Sequence, residues 1–163
     1  MTHYMQLLTE NQPWNLIIFM AIPVILAETL AITELAILFN RKARRWIKNL
    51  NLYAGLLAGI YFLGIFFYLM KSAVIPLTIT GGWRGPADII AVGFYLAGVI
   101  PLFGISLLEI RLLYPLKSSE DRLRVHVILV GTFLILAHVA MIFGMLNPEL
   151  LGWVNPEPHM TTM

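Results

Sequence analysis

Residues 14–48 read WNLIIFMAIPVILAETLAITELAILFNRKARRWIK. From Trp14 to Phe39 the only charged residues are Glu28 and Glu34, and then Arg41, Lys42, Arg44, Arg45 and Lys48 follow closely. About 20 mostly apolar residues are needed to cross the hydrocarbon core of a bilayer. Backbone groups in that core find no water, so the segment must be a helix or part of a closed barrel. No period-two alternation is present, so it reads as a helix. Three more stretches read the same way, giving expected spans at about 14–39, 52–75, 88–113 and 123–146. The whole chain agrees. Of its 163 residues 59% are hydrophobic and 12% charged, where a soluble domain holds about 45–50% and about 25%. Mean hydropathy is +0.80. The expected fold is all-α, a single integral membrane domain over residues 1–163, with the four spans packed as an antiparallel four-helix bundle because the connectors are short.

Basic residues set the expected orientation. Arg41, Lys42, Arg44, Arg45 and Lys48 lie in the first connector, and Arg111, Lys117, Arg122 and Arg124 lie in or beside the third. Lys71 and Arg84 are the only others. An excess of Lys and Arg marks cytoplasmic loops, so both termini and the second connector are expected on the outer, periplasmic side. Trp14, Trp83 and Trp153 fall near the outer interface and Trp46 near the inner one, as in an aromatic belt. The basic run is accounted for by topology and anionic lipid, so nucleic acid is not an expected partner. The lipid bilayer is, with a homo-oligomer or a larger membrane complex beside it. With no basic n-region and no cleavage site, the first span is expected to be retained. No lipidation motif occurs.

The second connector carries Pro76, Gly81, Gly82, Gly85 and Pro86, which predict a turn rather than a long helix. That turn would bring Arg84 near Asp88 at the outer entrance, with Asp88 in the first helical turn of span three. Asn147 and Pro148 end span four. Both ends of the chain hold methionine and histidine: Met1, His3 and Met5 at one, His159, Met160 and Met163 at the other. Thioether and imidazole suit copper(I), although the ordinary reading of such ends is frayed tail.

Ionisable groups inside spans are costly and mark sites and pathways. Glu28 falls at the middle of span one, and His138 about 4–5 Å from the middle of span four at about 1.5 Å per residue. These two are the first expected metal ligands, with Met141, Tyr95, water or a residue from a second subunit completing the set. Glu34, Glu109 and His126 form a second layer toward the basic end, as a further metal site or a proton path, with Arg111 to neutralise a carboxylate. At about 100° per residue, Asp88, Tyr95, Ser106 and Glu109 share one stripe of span three, while Glu28 and Glu34 point about 120° apart. Pro23 and Pro101 should free the carbonyls of Phe19 and Ala97. Gly55 and Gly59 allow a close helix approach.

These residues point to a transition-metal ion bound by carboxylate and imidazole, for metal handling or redox chemistry. The Glu-x-x-His pair of ferritin-like centres is missing. Haem b is a further expected cofactor, with His138 or His126 as axial ligand. Because one span holds both membrane histidines, bis-histidine ligation within a single chain is ruled out. A small oligomeric proton- or ion-coupled permease and a structural accessory subunit are the other two readings. The chain has no cysteine, which excludes disulfides, thiolate metal sites and cysteine catalysis. No Gly-x-Ser-x-Gly elbow and no phosphate loop is present, so no enzyme class is indicated.

Asn11-Gln-Pro-Trp-Asn-Leu-Ile17, Pro23-Val-Ile-Leu-Ala-Glu-Thr29, Val74-Ile-Pro-Leu-Thr78, Gly82-Trp-Arg84 and Gly144-Met-Leu-Asn-Pro-Glu-Leu-Leu-Gly152 resemble a group of uncharacterised bacterial four-helix inner-membrane proteins, some loosely labelled permease. The resemblance covers nearly the whole chain. It implies a bacterial inner-membrane location and carries over no functional residue.

Overall fold

A computed structural model describes residues 1–40, 43–110 and 119–154. The expectations placed on Arg41, Lys42, Arg111, Lys117, His159, Met160 and Met163 lie outside those residues. A short helix, α1 (His3–Thr9), precedes α2 (Trp14–Phe39) and α3 (Arg45–Thr80). Span three is split at Gly98 into α4 (Gly85–Ala97) and α5 (Val99–Glu109), and α6 (Ser119–Met145) follows. Four helical runs are long and apolar enough to cross a membrane, and among the described residues there is no strand. This is a helical membrane protein.

Large apolar side chains stand outward at every second turn: Ile25, Ile32 and Phe39 on α2, Tyr53, Ile60 and Phe67 on α3, Ile128, Ile135 and Ile142 on α6. A seven-residue step returns to nearly the same face of a helix, so each run presents a lipid-facing stripe. The opposite faces pack together. The α2 run touches α3 and α6, α3 lies along α5, and α4 and α5 both lie along α6. Phe62, Tyr95, Tyr4 and Phe133 form the aromatic centre, with ring centroids 5.2–5.7 Å apart.

Prolines shape two of the runs. A π-helical turn, Ile17–Ala21, precedes Pro23, and a second, Met70–Val74, precedes Pro76. Proline cannot donate its nitrogen, and its ring crowds the carbonyl four residues back; the wider π turn makes room for it. In α2 the Tyr95 hydroxyl donates to the Phe19 carbonyl at 2.6 Å, the carbonyl that Pro23 was expected to free. In α3 the π turn corrects the expected end of span two. The helix continues past Ile75 through Pro76 to Thr80. It stops at Gly81, whose φ of +67° is left-handed, so the connector shortens to Gly81–Arg84.

Contact between α3 and α5 is close because Gly59 has no side chain. A Cβ there would lie 2.5 Å from the Leu102 carbonyl oxygen. Ser106 Oγ donates to the Gly55 carbonyl at 2.9 Å. The Gly55–Gly59 pair is therefore used inside the chain.

The start of the chain is not frayed. Thr2 caps α1 by accepting from the Met5 amide, and its hydroxyl donates to the Gly144 carbonyl at 2.5 Å. Gly144 is needed here, since a Cβ would sit 2.5 Å from the Tyr4 ring. Tyr4 and Leu8, one turn apart, are buried.

Candidate functional site

Ionisable groups lie at three levels. At the end of the runs that carries Arg44, Arg45 and Lys48, three spans contribute to one cluster. The α2 run supplies Glu34, α5 ends on Glu109, and α6 supplies His126, their side chains only 4–6% exposed. His126 Nδ1 is hydrogen-bonded to Glu34 Oε1. Its Nε2 is 3.2 Å from Glu109 Oε1. Arg122, one turn before His126 on α6, reaches within 3.9 Å of Glu109 Oε2, and its side chain is 41% exposed. The cluster is thus dry around the imidazole and open at Arg122. Glu109 Oε2 and His126 Nε2 are the two buried side-chain atoms without a hydrogen bond among the described residues. Beside them Asn51 donates to Thr33 Oγ1 at 2.8 Å, and Gly55 leaves space at His126 Nε2.

Chemically this is an imidazole between two carboxylates. Ionised carboxylates only accept hydrogen bonds, whereas a neutral imidazole has one donor and one acceptor nitrogen. With Nδ1–H given to Glu34, the lone pair of Nε2 would face Glu109 Oε1. A proton between those two atoms would remove the repulsion, whether carried on Nε2, pairing imidazolium with carboxylate, or on Glu109.

The middle level is a cleft of about 220 Å³ that opens at the surface of the bundle, lined by Glu28 and Met20 of α2 and His138 and Met141 of α6, with Glu28, His138 and Met141 exposed at its mouth. Aromatic side chains, Tyr95 and Phe133 among them, complete its walls. His138 Nδ1–H donates to the Leu134 carbonyl at 2.6 Å, which leaves Nε2 as the free acceptor.

The third level is at the Gly81–Arg84 end. Asp88 is fully buried in the first turn of α4. Its carboxylate accepts from the His3 amide at 2.7 Å, from His3 Nδ1 at 2.5 Å and from the Arg84 amide at 3.2 Å. The Arg84 guanidinium turns instead to α1, donating to the Met1 carbonyl at 2.6 Å and to Gln6 Oε1 at 2.7 Å. Arg84 and Asp88 do meet, and what they hold is α1. Tyr4 on that helix has its phenol pushed up to about 12 by burial.

Of the residues singled out from sequence, Glu34, Glu109 and His126 converge. Glu28 and His138 share a cleft on facing runs. Arg84 joins Asp88 through its backbone amide. Two participants were not anticipated. In the sequence Arg122 reads as connector charge, yet its position one turn from His126 is a usable signal. His3 was assigned to a tail, although Thr2 as a cap and the Tyr4–Leu8 pair mark a short helix. No three His, Asp or Glu side chains among the described residues form a group able to hold a metal ion.

The family of unknown function DUF6803 matches residues 1–160. The chain belongs to this family. No curated protein and no solved structure matches it.

Proposed function

We propose that this DUF6803 protein is a proton-handling protein of a bacterial inner membrane, a small proton- or ion-coupled carrier of the permease type. Its four runs form an antiparallel bundle with both termini on the periplasmic side. The excess of Lys and Arg at the Glu34–Glu109 end supports that orientation. The observation that carries the function is the placement of His126 between two buried carboxylates, with Arg122 at the exposed edge. Buried carboxylates and imidazoles in membrane helices are costly and mark proton relays. A proton enters at the Arg122 edge, passes between Glu109 and His126 Nε2, and is handed on through Nδ1 toward Glu34. A transition metal at this cluster is less well supported, because no group of three His, Asp or Glu side chains among the described residues is placed to hold one. Four helices make a thin wall, so the reading includes assembly into a homo-oligomer or a larger membrane complex.

The test is proton flux in proteoliposomes carrying an internal pH dye, with a pH step applied across the membrane. Wild type should equilibrate faster than empty vesicles, and Glu109→Gln and His126→Asn should each lower the rate about a hundredfold or more, the lower end of a general acid–base contribution. Flux equal to empty vesicles, with a second protein co-purifying stoichiometrically from native membranes, would favour the accessory-subunit reading instead.

A further inference from the structure

The middle cleft is not used by the proton cluster, and its donors are of another kind. Glu28 and Met20 approach from α2, His138 and Met141 from α6. We propose that this cleft is a binding site for a soft monovalent d¹⁰ cation, copper(I) or its surrogate silver(I).

Three features of the site converge on that class. Thioether sulfur is a soft ligand that selects copper(I), and imidazole nitrogen serves copper as well. Both methionines are on the cleft wall together with the histidine. The tautomer of His138 is also set, because Nδ1–H is given to the Leu134 carbonyl, so Nε2 presents its lone pair. A backbone carbonyl in that role is the usual outer partner of a metal-bound histidine. The third feature is charge. Uncompensated charge near the middle of a membrane-spanning helix is expensive. Glu28 is the only anionic group among the four donors, and histidine and both thioethers are neutral. A monovalent ion gives a neutral site, whereas a divalent ion leaves one positive charge uncompensated.

A second cleft of about 330 Å³, lined by His3, Gln6 and Ser72, shares Tyr4 and Tyr95 with the first. The two tyrosines form the partition between an outer space and the ligand set.

The test uses the full chain in detergent under anaerobic conditions, with silver(I) as a redox-inert probe. Bound silver is measured by equilibrium dialysis with elemental analysis, and its ligands by X-ray absorption. The expected result is one silver ion per chain with sulfur in its first shell. The paired Met20→Leu and Met141→Leu substitution should lose that sulfur and weaken binding at least about tenfold, the minimum cost of losing even an outer-shell partner. His138→Gln should weaken it comparably. Methionine-to-leucine exchange conserves volume and is well tolerated, and the helix content and melting temperature of each variant are recorded beside its affinity. A variant with His159→Gln, Met160→Leu and Met163→Leu should bind as wild type does. The proposal is overturned if silver in the wild-type chain has only nitrogen and oxygen neighbours. It is equally overturned if binding survives in the methionine and His138 variants, is lost in the 159–163 variant, or is exceeded by zinc(II). None of these readouts depends on proton flux, so this site and the proton cluster stand or fall separately.

Discussion

Substituting alanine for Gly59 tests the packing that holds Glu109 in place. Gly59 of α3 faces Leu102 and Ser106 of α5. An added Cβ would lie 2.5 Å from the Leu102 carbonyl oxygen and nearer still to Ser106 Oγ. A side chain can rotate away from such a contact, but a backbone carbonyl inside a helix cannot, so α5 must move outward. Overpacking of this kind costs about 1–3 kcal/mol. Displacing Ser106 from the Gly55 carbonyl, now at 2.9 Å, removes about 0.5–1.5 kcal/mol more. Alanine's better helix propensity returns about 1 kcal/mol. The net expectation is a loss of about 2 kcal/mol, or roughly thirtyfold in the unfolding equilibrium. Gly64, on the same helix, is the control: no heavy atom lies within 4 Å of a Cβ built there, so Gly64→Ala should be neutral or slightly stabilising. Unfolding by SDS titration in mixed micelles, followed by far-UV circular dichroism, measures both. Because Glu109 is three residues beyond Ser106 on α5, Gly59→Ala should also slow proton flux, and Gly64→Ala should not. Equal stability of the two variants would refute the close α3–α5 contact and the positioning argument built on it.

Other outcomes follow from single contacts. Tyr95→Phe removes the donor to the Phe19 carbonyl and should cost about 1–3 kcal/mol for the unsatisfied group, read in the same titration. Asp88→Ala leaves the amides of His3 and Arg84 without their acceptor. It should cost about 3 kcal/mol, the upper range for a hydrogen bond to a charged group, and should expose α1 to limited proteolysis. Tyr4 keeps its proton longer when folded than when unfolded. Its contribution is therefore intact below pH 10 and is lost as pH rises from 10.0 through about 12. Tyr4→Phe should show a smaller fall in melting temperature across that window than wild type.

Much of this architecture was legible in the sequence because hydropathy is a one-dimensional signal. The span from Trp14 to Phe39 is found as expected, and the same depth reckoning grouped Glu34, Glu109 and His126. Helical phase separates Glu28 from Glu34, and the two lie apart, Glu34 against His126 and Glu28 in the cleft with His138. Phase also put Asp88, Tyr95 and Ser106 on one stripe, and all three are buried. What sequence did not convey depends on tertiary accommodation. Pro76 reads as a breaker, yet a π turn carries the helix past it to Thr80. The helix from His3 to Thr9 is too short to be stable alone. It forms because Asp88, Arg84 and the Gly144 carbonyl hold it, and those partners are 78 to 142 residues away in sequence. Arg122 escaped notice because a charge beside a connector already had an explanation in topology.

The most direct test of proton handling at Glu34, His126 and Glu109 is infrared difference spectroscopy of the full chain in lipid, stepped between acid and neutral pH in H2O and in D2O. A carboxylic acid C=O band should appear on acidification, shift down in D2O, move in His126→Asn and disappear in the Glu34→Gln, Glu109→Gln double variant. A difference spectrum that is the same in wild type and in the double variant would contradict proton handling there.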